Sequence, residues 1–308
     1  MNTPNAVDIE NLSITYRPSR RSQLHAVSNL SLSVAPGQVV GFIGPNGAGK
    51  TSTIKVLMGF MRPAQGKVSV LGLTAGSVEA RERTGYLPEV ALYYPFLTAR
   101  ETLLLYARLQ GLERHTRSKA VNTLLDKVGL ADRRDDRLQT FSKGMLQRIG
   151  LAQALMGDPD VFLLDEITGG LDPMARYDVR EILFELKSRG KTVFFSSHEL
   201  SEVALVCDRI VLIDQGRVLE ERALSEVLAS IKRVVVVTEG PWNPASLPEG
   251  VGMRTTPEGH SAFVAASEQA YLELREQLAR EKIAIARYCE ESGSLEDYFV
   301  KRIGHKGA

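Results

Sequence analysis

The stretch Gly44-Pro45-Asn46-Gly47-Ala48-Gly49-Lys50-Thr51 decides how the rest of this sequence is interpreted. It has the form G-x-x-x-x-G-K-T and follows a short β-branched run, Val39–Ile43. Its glycines let the backbone wrap closely around a phosphate, and the helix start that follows favours an anion. A chance match in a chain of this length is expected in roughly 1% of cases. The stretch therefore predicts a loop that binds the phosphates of a nucleotide.

The residues of this loop have distinct expected roles. The Lys50 ammonium should reach the β- and γ-phosphates, and the Thr51 hydroxyl should bind Mg²⁺. The remaining expected nucleotide contacts come from Asn46, Gly47, Ala48, Gly49 and Ser52. Kinases, GTPases and helicases carry such loops as well, so other motifs must decide between the classes.

A second motif is the apolar run from Val161 to Leu164, which ends in two carboxylates, Asp165 and Glu166. A buried strand that delivers two acids to one edge of a sheet suits metal-assisted phosphoryl transfer. Asp165 is expected in the Mg²⁺ sphere, whereas Glu166 is placed to polarise an attacking water. The pair therefore predicts nucleotide hydrolysis.

Apolar β-branched runs alternate with helical patterns over roughly the first 220 residues, which favours a mostly parallel sheet covered by helices. One segment interrupts the alternation. From Thr98 to Met156 the sequence predicts helices, and Thr98 with Glu101 forms a capping box at the start. Beyond about Lys232 the chain predicts a smaller unit of short strands and helices.

Composition and charge exclude some classes of function. Lys and Arg number 38 against 37 for Asp and Glu, so the net charge of +1 gives no reason to expect nucleic acid as a partner. The start, Met1 to Asp8, does not have the pattern of a signal peptide, and no apolar run is long enough for a membrane span. Cys207 and Cys289 lack metal-ligand spacing. We therefore expect a cytoplasmic protein that meets a membrane only through another protein or a surface patch.

Further motifs make the chain resemble the ATPases of the ABC family over roughly residues 6 to 225. Phe141-Ser142-Lys143-Gly144-Met145 matches the signature segment, which is normally Leu-Ser-Gly-Gly-Gln, and Gly170-Leu171-Asp172 matches the D-loop. Phe195-Ser196-Ser197-His198 matches the switch-histidine segment, and Tyr16 matches the aromatic residue that stacks on adenine. The order and spacing of these motifs all fit the family.

This resemblance implies a fold and a domain organisation. The fold is α/β, with a P-loop NTPase core and a mostly parallel sheet, an antiparallel β subdomain, an inserted helical subdomain and a small α+β C-terminal domain. The expected limits are 1–228 for the ATPase domain, with the helical subdomain at about 98–157, and 229–308 for the C-terminal domain.

The resemblance also implies a mechanism and partners. Two such subunits, expected to be identical, would clamp two ATP molecules with Mg²⁺ head to tail. Ser142 and the Gly144 N–H would then reach the γ-phosphate that the partner holds, because they begin a helix. Lys50, Glu166 and His198 would be the catalytic residues, with His198 donating to the γ-phosphate.

The sequence departs from the family pattern at four places. Glu89 stands where a glutamine is usual, and a carboxylate there suits Mg²⁺. Lys143 and Met145 replace a glycine and a glutamine of the signature, and Ile167 replaces a common proline. The pattern Ser142-Lys143-Gly144-Met145 with Gly85-Tyr86-Leu87-Pro88-Glu89 resembles the branch whose ATPases serve exporters with a separate permease of about six spans, and the ending Ser294–Phe299 resembles its C-terminal extension. The subunit would then sit on the inner face of the cell membrane.

The aromatic run Tyr93-Tyr94-Pro95-Phe96, within the segment from Glu89 to Thr98, is expected to dock that permease. A plain core loop is the alternative for this run. For the whole chain the alternatives are an ABC ATPase without a transport function and a binding module that does not hydrolyse ATP. The transported substrate is left open, because by resemblance the ATPase does not contact it.

Overall fold

The computed structural model describes residues 4–19, 22–169, 171–257, 259–292 and 294–304. These residues form two compact units, which divide between Ala223 and Leu224. The strands of the first unit are β1 (Val7–Ser19), β2 (Ser22–Val34), β3 (Val39–Ile43), β4 (Gln65–Val70), β5 (Leu73–Thr74), β6 (Thr84–Leu87), β7 (Val161–Leu164), β8 (Thr192–Ser197), β9 (Arg209–Asp214) and β10 (Arg217–Ala223). Its helices are α1 (Lys50–Leu57), α2 (Val78–Glu82), α3 (Ala99–Leu109), α4 (Arg114–Lys127), α5 (Lys143–Ala154), α6 (Pro173–Ser188) and α7 (Leu200–Val206).

The central sheet has the strand order β10-β9-β3-β8-β7-β6. Neighbouring strands of this sheet are parallel except for the antiparallel pair of β9 with β10. Every residue of β3, β7 and β8 is buried, which explains why β3 and β7 appear in the sequence as apolar runs rather than as alternating patterns. β3 and β7 have the limits that the sequence predicts.

A second sheet, of order β2-β1-β4-β5, is antiparallel throughout. Its apolar side chains, such as Leu12, Leu30 and Leu32, join the same core cluster as Phe42 of β3 and Ile54 of α1. The α/β class, the mostly parallel sheet and the antiparallel β subdomain are therefore confirmed.

Helices α3, α4 and α5 form the helical insertion between β6 and β7. The predicted capping box is present at the start of α3. The Thr98 hydroxyl accepts the Glu101 N–H at 3.1 Å, and the Glu101 carboxylate accepts the Thr98 N–H at 2.9 Å. No helix among the described residues is long and apolar enough to cross a membrane.

The second unit consists of α8 (Leu224–Ser230), β11 (Lys232–Thr238), β12 (Val251–Thr255), β13 (Ser261–Ala265), α9 (Glu268–Arg280), β14 (Ile285–Ser292) and α10 (Leu295–Gly304). Its four strands form an antiparallel sheet of order β12-β13-β11-β14. Leu274 and Leu278 of α9 pack on one face of this sheet with Trp242, Val236 and Phe263. This unit combines helices with an antiparallel sheet and has a hydrophobic core of its own.

Replacing Phe263 should destabilise the second unit selectively. The Phe263 ring is fully buried with its centroid 4.9 Å from that of Trp242, so Phe263→Ala should cost about 3–5 kcal/mol. Trp242 is the single tryptophan of the chain, and its fluorescence during denaturation therefore reports on this unit. Phe60→Ala is the control because Phe60 is 58% exposed. An unchanged fluorescence transition in Phe263→Ala would contradict the described core.

Candidate functional site

The phosphate loop borders a cavity of about 420 Å³. The residues that line it come from the β1–β2 hairpin, the loop and first turn of α1, and two acidic positions: Tyr16, Leu24, Ala26, Asn46, Gly47, Ala48, Gly49, Lys50, Thr51, Ser52, Glu89 and Glu166. Nine of these twelve are residues for which the sequence predicts nucleotide or metal binding, and Glu166 is a predicted catalytic residue; Leu24 and Ala26 are the two additions. A cavity of this size suits a small ligand.

Gly49 shows why the loop needs glycine. Its φ of 107° is in the left-handed region, and an added Cβ would lie 2.6 Å from the carbonyl oxygen of Ala26. Gly49 is also the N-cap of α1, and it has no side chain to bond the free N–H groups of the first turn. These N–H groups at the start of a helix favour a bound anion.

The Lys50 ammonium is only 6% exposed and lies among oxygens. It donates to the carbonyl oxygens of Gly44 at 2.7 Å and Pro45 at 3.3 Å, and it pairs with Glu166 Oε1 at 3.3 Å. A buried ammonium needs such partners to offset its loss of hydration. The arrangement places the lysine at the phosphate loop and in contact with a buried carboxylate.

Asp165 lies at the end of β7 and is 1% exposed. Its Oδ1 accepts the Ser196 hydroxyl at 2.6 Å and the Thr51 hydroxyl at 3.1 Å. Burial raises the pKa of the Asp165 carboxyl, and the two hydroxyl bonds oppose that shift. Ser196 also accepts the N–H of Glu166 at 3.0 Å, so one β8 hydroxyl positions both acidic residues.

Thr51 and Asp165 suit a magnesium ion. The Thr51 and Asp165 oxygens are 3.1 Å apart, close to the about 3 Å between adjacent ligands of an octahedral ion with bonds of 2.0–2.1 Å. Both groups offer the hard oxygen donors that Mg²⁺ prefers. Glu89 is exposed and lines the same cavity, but no hydrogen bond or ion pair of the described residues ties it to Asp165.

Glu166 has an unusual backbone. Its φ of 51° is in the left-handed region, where a non-glycine side chain is strained. Its carboxylate is held on both sides, because Oε1 pairs with Lys50 and Oε2 is 2.5 Å from His198 Nδ1. His198 follows β8, and its side chain is 52% exposed. Such strain, maintained by surrounding contacts, is a mark of functional sites.

Tyr16 and Leu24 are directly opposed in the β1–β2 hairpin, so their side chains share one face. The Tyr16 hydroxyl lies 3.0 Å from the Ser52 hydroxyl at the start of α1. Leu24 is 60% exposed and lines the cavity beside Tyr16. The sequence did not single out Leu24, because only the pairing of β1 with β2 brings it next to Tyr16.

The signature residues lie elsewhere on the first unit. Ser142 is the N-cap of α5, where its hydroxyl accepts the Met145 N–H at 3.2 Å. Ser142 and Lys143 are exposed, and neither Ser142 nor Gly144 lines the cavity of the phosphate loop. Ile167 is fully buried, and its carbonyl oxygen lies 3.5 Å from the Gln147 side-chain nitrogen of α5. Ile167 is therefore a core residue that joins the acidic loop to α5.

Replacing Asp165 with Asn should stabilise the nucleotide-free chain at neutral pH while it weakens magnesium-dependent nucleotide binding. Because burial raises the Asp165 pKa above its unfolded value, the ionised carboxylate destabilises the fold at pH values above the folded pKa. An amide oxygen can still accept both hydroxyl bonds. The gain in melting temperature should shrink as the pH falls through the folded pKa toward the unfolded value.

The control for this comparison is Asp160→Asn, because the exposed Asp160 carboxylate is paired with Arg83 at 2.8 Å. This control should produce no rise in melting temperature at neutral pH. A melting temperature that falls equally in both variants, measured across pH 4 to 8, would contradict the described environment of Asp165.

Comparisons with known proteins agree with this geometry. The family model described as ABC transporter matches residues 27–169. An uncharacterized ABC transporter ATP-binding protein of Synechocystis sp. is 37% identical, covering 98% of this chain and 86% of the relative. The Nod factor export ATP-binding protein I of Burkholderia pseudomallei is also 37% identical, covering 91% of this chain and 92% of the relative.

Solved structures show the same fold. The ATP-binding subunit of an ABC transporter matches with a TM-score of 0.65 at 30% identity, covering 73% of this chain and 92% of the other. A dimeric ATP-binding cassette bound to ADP and phosphate matches with a TM-score of 0.66 at 24% identity, covering 71% of this chain and 98% of the other. The identities and coverage of the sequence relatives, together with this fold, place the chain in a family: it belongs to the ABC transporter ATP-binding proteins.

Proposed function

We propose that this chain hydrolyses ATP in a head-to-tail dimer and thereby drives export through a separate membrane permease. The observation that carries the proposal is the position of Glu166, whose two carboxylate oxygens contact Lys50 and His198 at the phosphate loop. Loop residues, a carboxylate and a histidine are thus arranged around one place where a γ-phosphate and a water can meet.

In this mechanism Glu166 polarises the attacking water. The Lys50 ammonium donates to two carbonyl oxygens and Glu166, so an incoming phosphate competes with Glu166 for the same cation. Once the ammonium contacts phosphate, the Glu166 carboxylate is free to accept a proton from water. His198 remains beside that carboxylate, where it can donate to the γ-phosphate.

Thr51 and Asp165, with Glu89 at the edge of the cavity, would hold the magnesium ion. When bound, the ion neutralises part of the charge on the phosphates. Ser196 is a positioning residue, because its hydroxyl fixes the Asp165 carboxylate and the Glu166 backbone together.

The dimer is inferred from the separation between the signature and the cavity. Ser142 and Gly144 are at the start of α5 but do not line the cavity of their own chain. An exposed helix start that offers N–H groups suits an anion supplied from outside. A second copy in head-to-tail orientation would provide that anion as the γ-phosphate of its bound ATP.

The partnership with a permease rests on the segment from residue 89 to 98. Val90, Leu92, Tyr94 and Phe96 are each at least 60% exposed, which is unusual for large apolar side chains so close together. Tyr93 differs from its neighbours, since it is partly buried and its hydroxyl donates to Gln153 at 3.2 Å. Tyr93 therefore holds the segment to α5, and the neighbouring apolar side chains are exposed to solvent. Glu89, at the start of the segment, lines the cavity of the phosphate loop.

Export is the direction we infer, because relatives named for Nod factor export cover nearly all of this chain. The subunit would sit on the inner face of the cell membrane, attached through the permease. Purification from native membranes tests this: a polytopic protein that co-purifies and stimulates the ATPase supports the proposal. ATPase activity that neither needs nor binds such a partner would instead favour an ABC ATPase without a transport function.

Replacing Glu166 with Gln should leave ATP binding intact but slow hydrolysis by about 100-fold or more, because the amide cannot accept the proton of water. The chain should then accumulate as a dimer in the presence of ATP and Mg²⁺, measured by size-exclusion chromatography. Glu181→Gln is the control, because Glu181 is exposed on α6. Near-normal turnover of Glu166→Gln would rule out Glu166 as the base.

Replacing Tyr94 and Phe96 with Ser should release the permease while nucleotide binding is kept. The rings lie 5.7 Å apart and are 60% and 62% exposed, so their removal should not disturb the core. Phe60→Ser is the matched control, with a ring 58% exposed on another part of the unit. Co-purification that persists in the double variant, with the control unchanged, would exclude this segment as the docking site.

A further inference from the structure

The outer edge of β14 in the second unit is open. β14 pairs with β11 on one side, and among the described residues no other backbone group bonds to it between Ile285 and Ser292. Ile285, Ala286, Arg287 and Tyr288 are all exposed. A long exposed edge strand is a template for pairing with another chain unless charges or bulges prevent it.

Three side chains of β14 share one face of the sheet. Arg287, Cys289 and Glu291 stand opposite Val237, Val235 and Arg233 of β11, and alternate residues of a strand point the same way. No hydrogen bond or ion pair of the described residues involves Arg287. Glu291 bonds Arg254 at 2.7 Å through Oε1, which leaves its second oxygen for another cation.

Symmetry limits how two copies of β14 can pair. Directly opposed residues point to the same face, whereas consecutive residues of a strand point to opposite faces. An antiparallel pair about a two-fold axis must therefore place one residue opposite its own copy. Centring the pair on Arg287 sets two cations against each other, and centring it on Glu290 or Glu291 sets two carboxylates against each other. Centring it on Tyr288 opposes no like charges but brings no opposite charges together.

Centring the pair on Cys289 opposes no like charges and is the register that brings Arg287 and Glu291 together. Arg287 of each copy then faces Glu291 of the other, and Tyr288 faces Glu290. We propose that β14 of one chain pairs with β14 of a second copy in this register, forming a continuous eight-stranded sheet from two four-stranded ones. The partner is thus the same chain, selected by two symmetric Arg287–Glu291 pairs.

The small area of the proposed β14–β14 contact limits how stable it can be. An edge pair of this length is smaller than the roughly 1,200 Å² that stable complexes bury, so it should be weak between free chains. Joining two copies through their ATPase units would raise the effective concentration of the second edge and so favour a weak contact. The proposal in this form rests on the proposed ATP-dependent dimer.

Thiol cross-linking tests the register. Directly opposed residues have Cα atoms about 4.5–5.5 Å apart, within the range that a disulfide spans. The full chain carrying Glu166→Gln, with ATP and Mg²⁺, should form a covalent dimer through Cys289 when treated with copper–phenanthroline. Cys289→Ser should abolish the product, and Cys207→Ser should keep it because Cys207 is buried.

Two further variants distinguish pairing in this register from random cross-linking between molecules in solution. Arg287→Glu should reduce the cross-linked fraction by roughly tenfold, because two attractive pairs become repulsive. Arg275→Glu makes the same charge change at an exposed position of α9 and should have no effect. Moving the thiol to position 285 in the Cys289→Ser chain should prevent cross-linking, because the two thiols would then be about 26 Å apart along the strands.

The outcomes distinguish this proposal from the proposed function. A dimer in chromatography that gives no Cys289 product overturns the β14 pairing and leaves the ATP-dependent dimer standing. A Cys289 product without an ATP-dependent dimer supports the pairing and overturns the head-to-tail dimer. Equal cross-linking at positions 289 and 285, or a product that joins Cys289 to a different protein, overturns the pairing with a second copy.

Discussion

β3, β7 and β8 run in parallel and end at the same edge of the central sheet, and each end carries one part of the site. The phosphate loop follows β3, the two carboxylates follow β7, and His198 follows β8. Parallel pairing therefore converts three distant stretches of sequence into one cluster. The contacts of Lys50 with Glu166 and of Thr51 with Asp165 exist only because this pairing holds.

Three charged side chains of this cluster are buried. Lys50, Asp165 and Glu166 are each less than one tenth exposed, and a buried charge without a partner destabilises a fold strongly. The hydroxyl groups of Ser196 and Thr51 and the Lys50–Glu166 pair provide the needed partners. Burial raises the pKa of Asp165 in spite of them, so its ionised carboxylate destabilises the fold at neutral pH.

The two units differ in the surfaces that they expose. The first unit presents an exposed signature helix start and an exposed apolar segment, so its surface is suited to two different partners. The second unit has its own core around Trp242 and Phe263, and among the described residues β14 pairs with β11 alone. Every described residue that lines the cavity of the phosphate loop precedes Leu224.

The sequence by itself determined the fold class and nearly all residues of the candidate site. Glycine spacing, apolar runs that end in acids and capping residues depend on local backbone chemistry, which a sequence displays directly. β6 was not predicted, because its Gly85 weakens the strand signal. The packing of β6 against α5 is what requires the glycine: an added Cβ would lie 2.3 Å from the Ala154 carbonyl oxygen of α5. The place of Leu24 in the site and the hydrogen bonds of Ser196 were not predicted either, because each depends on contact with a neighbouring strand. Only the tertiary structure decided these features, because contacts between strands distant in sequence leave no periodic pattern in either strand alone.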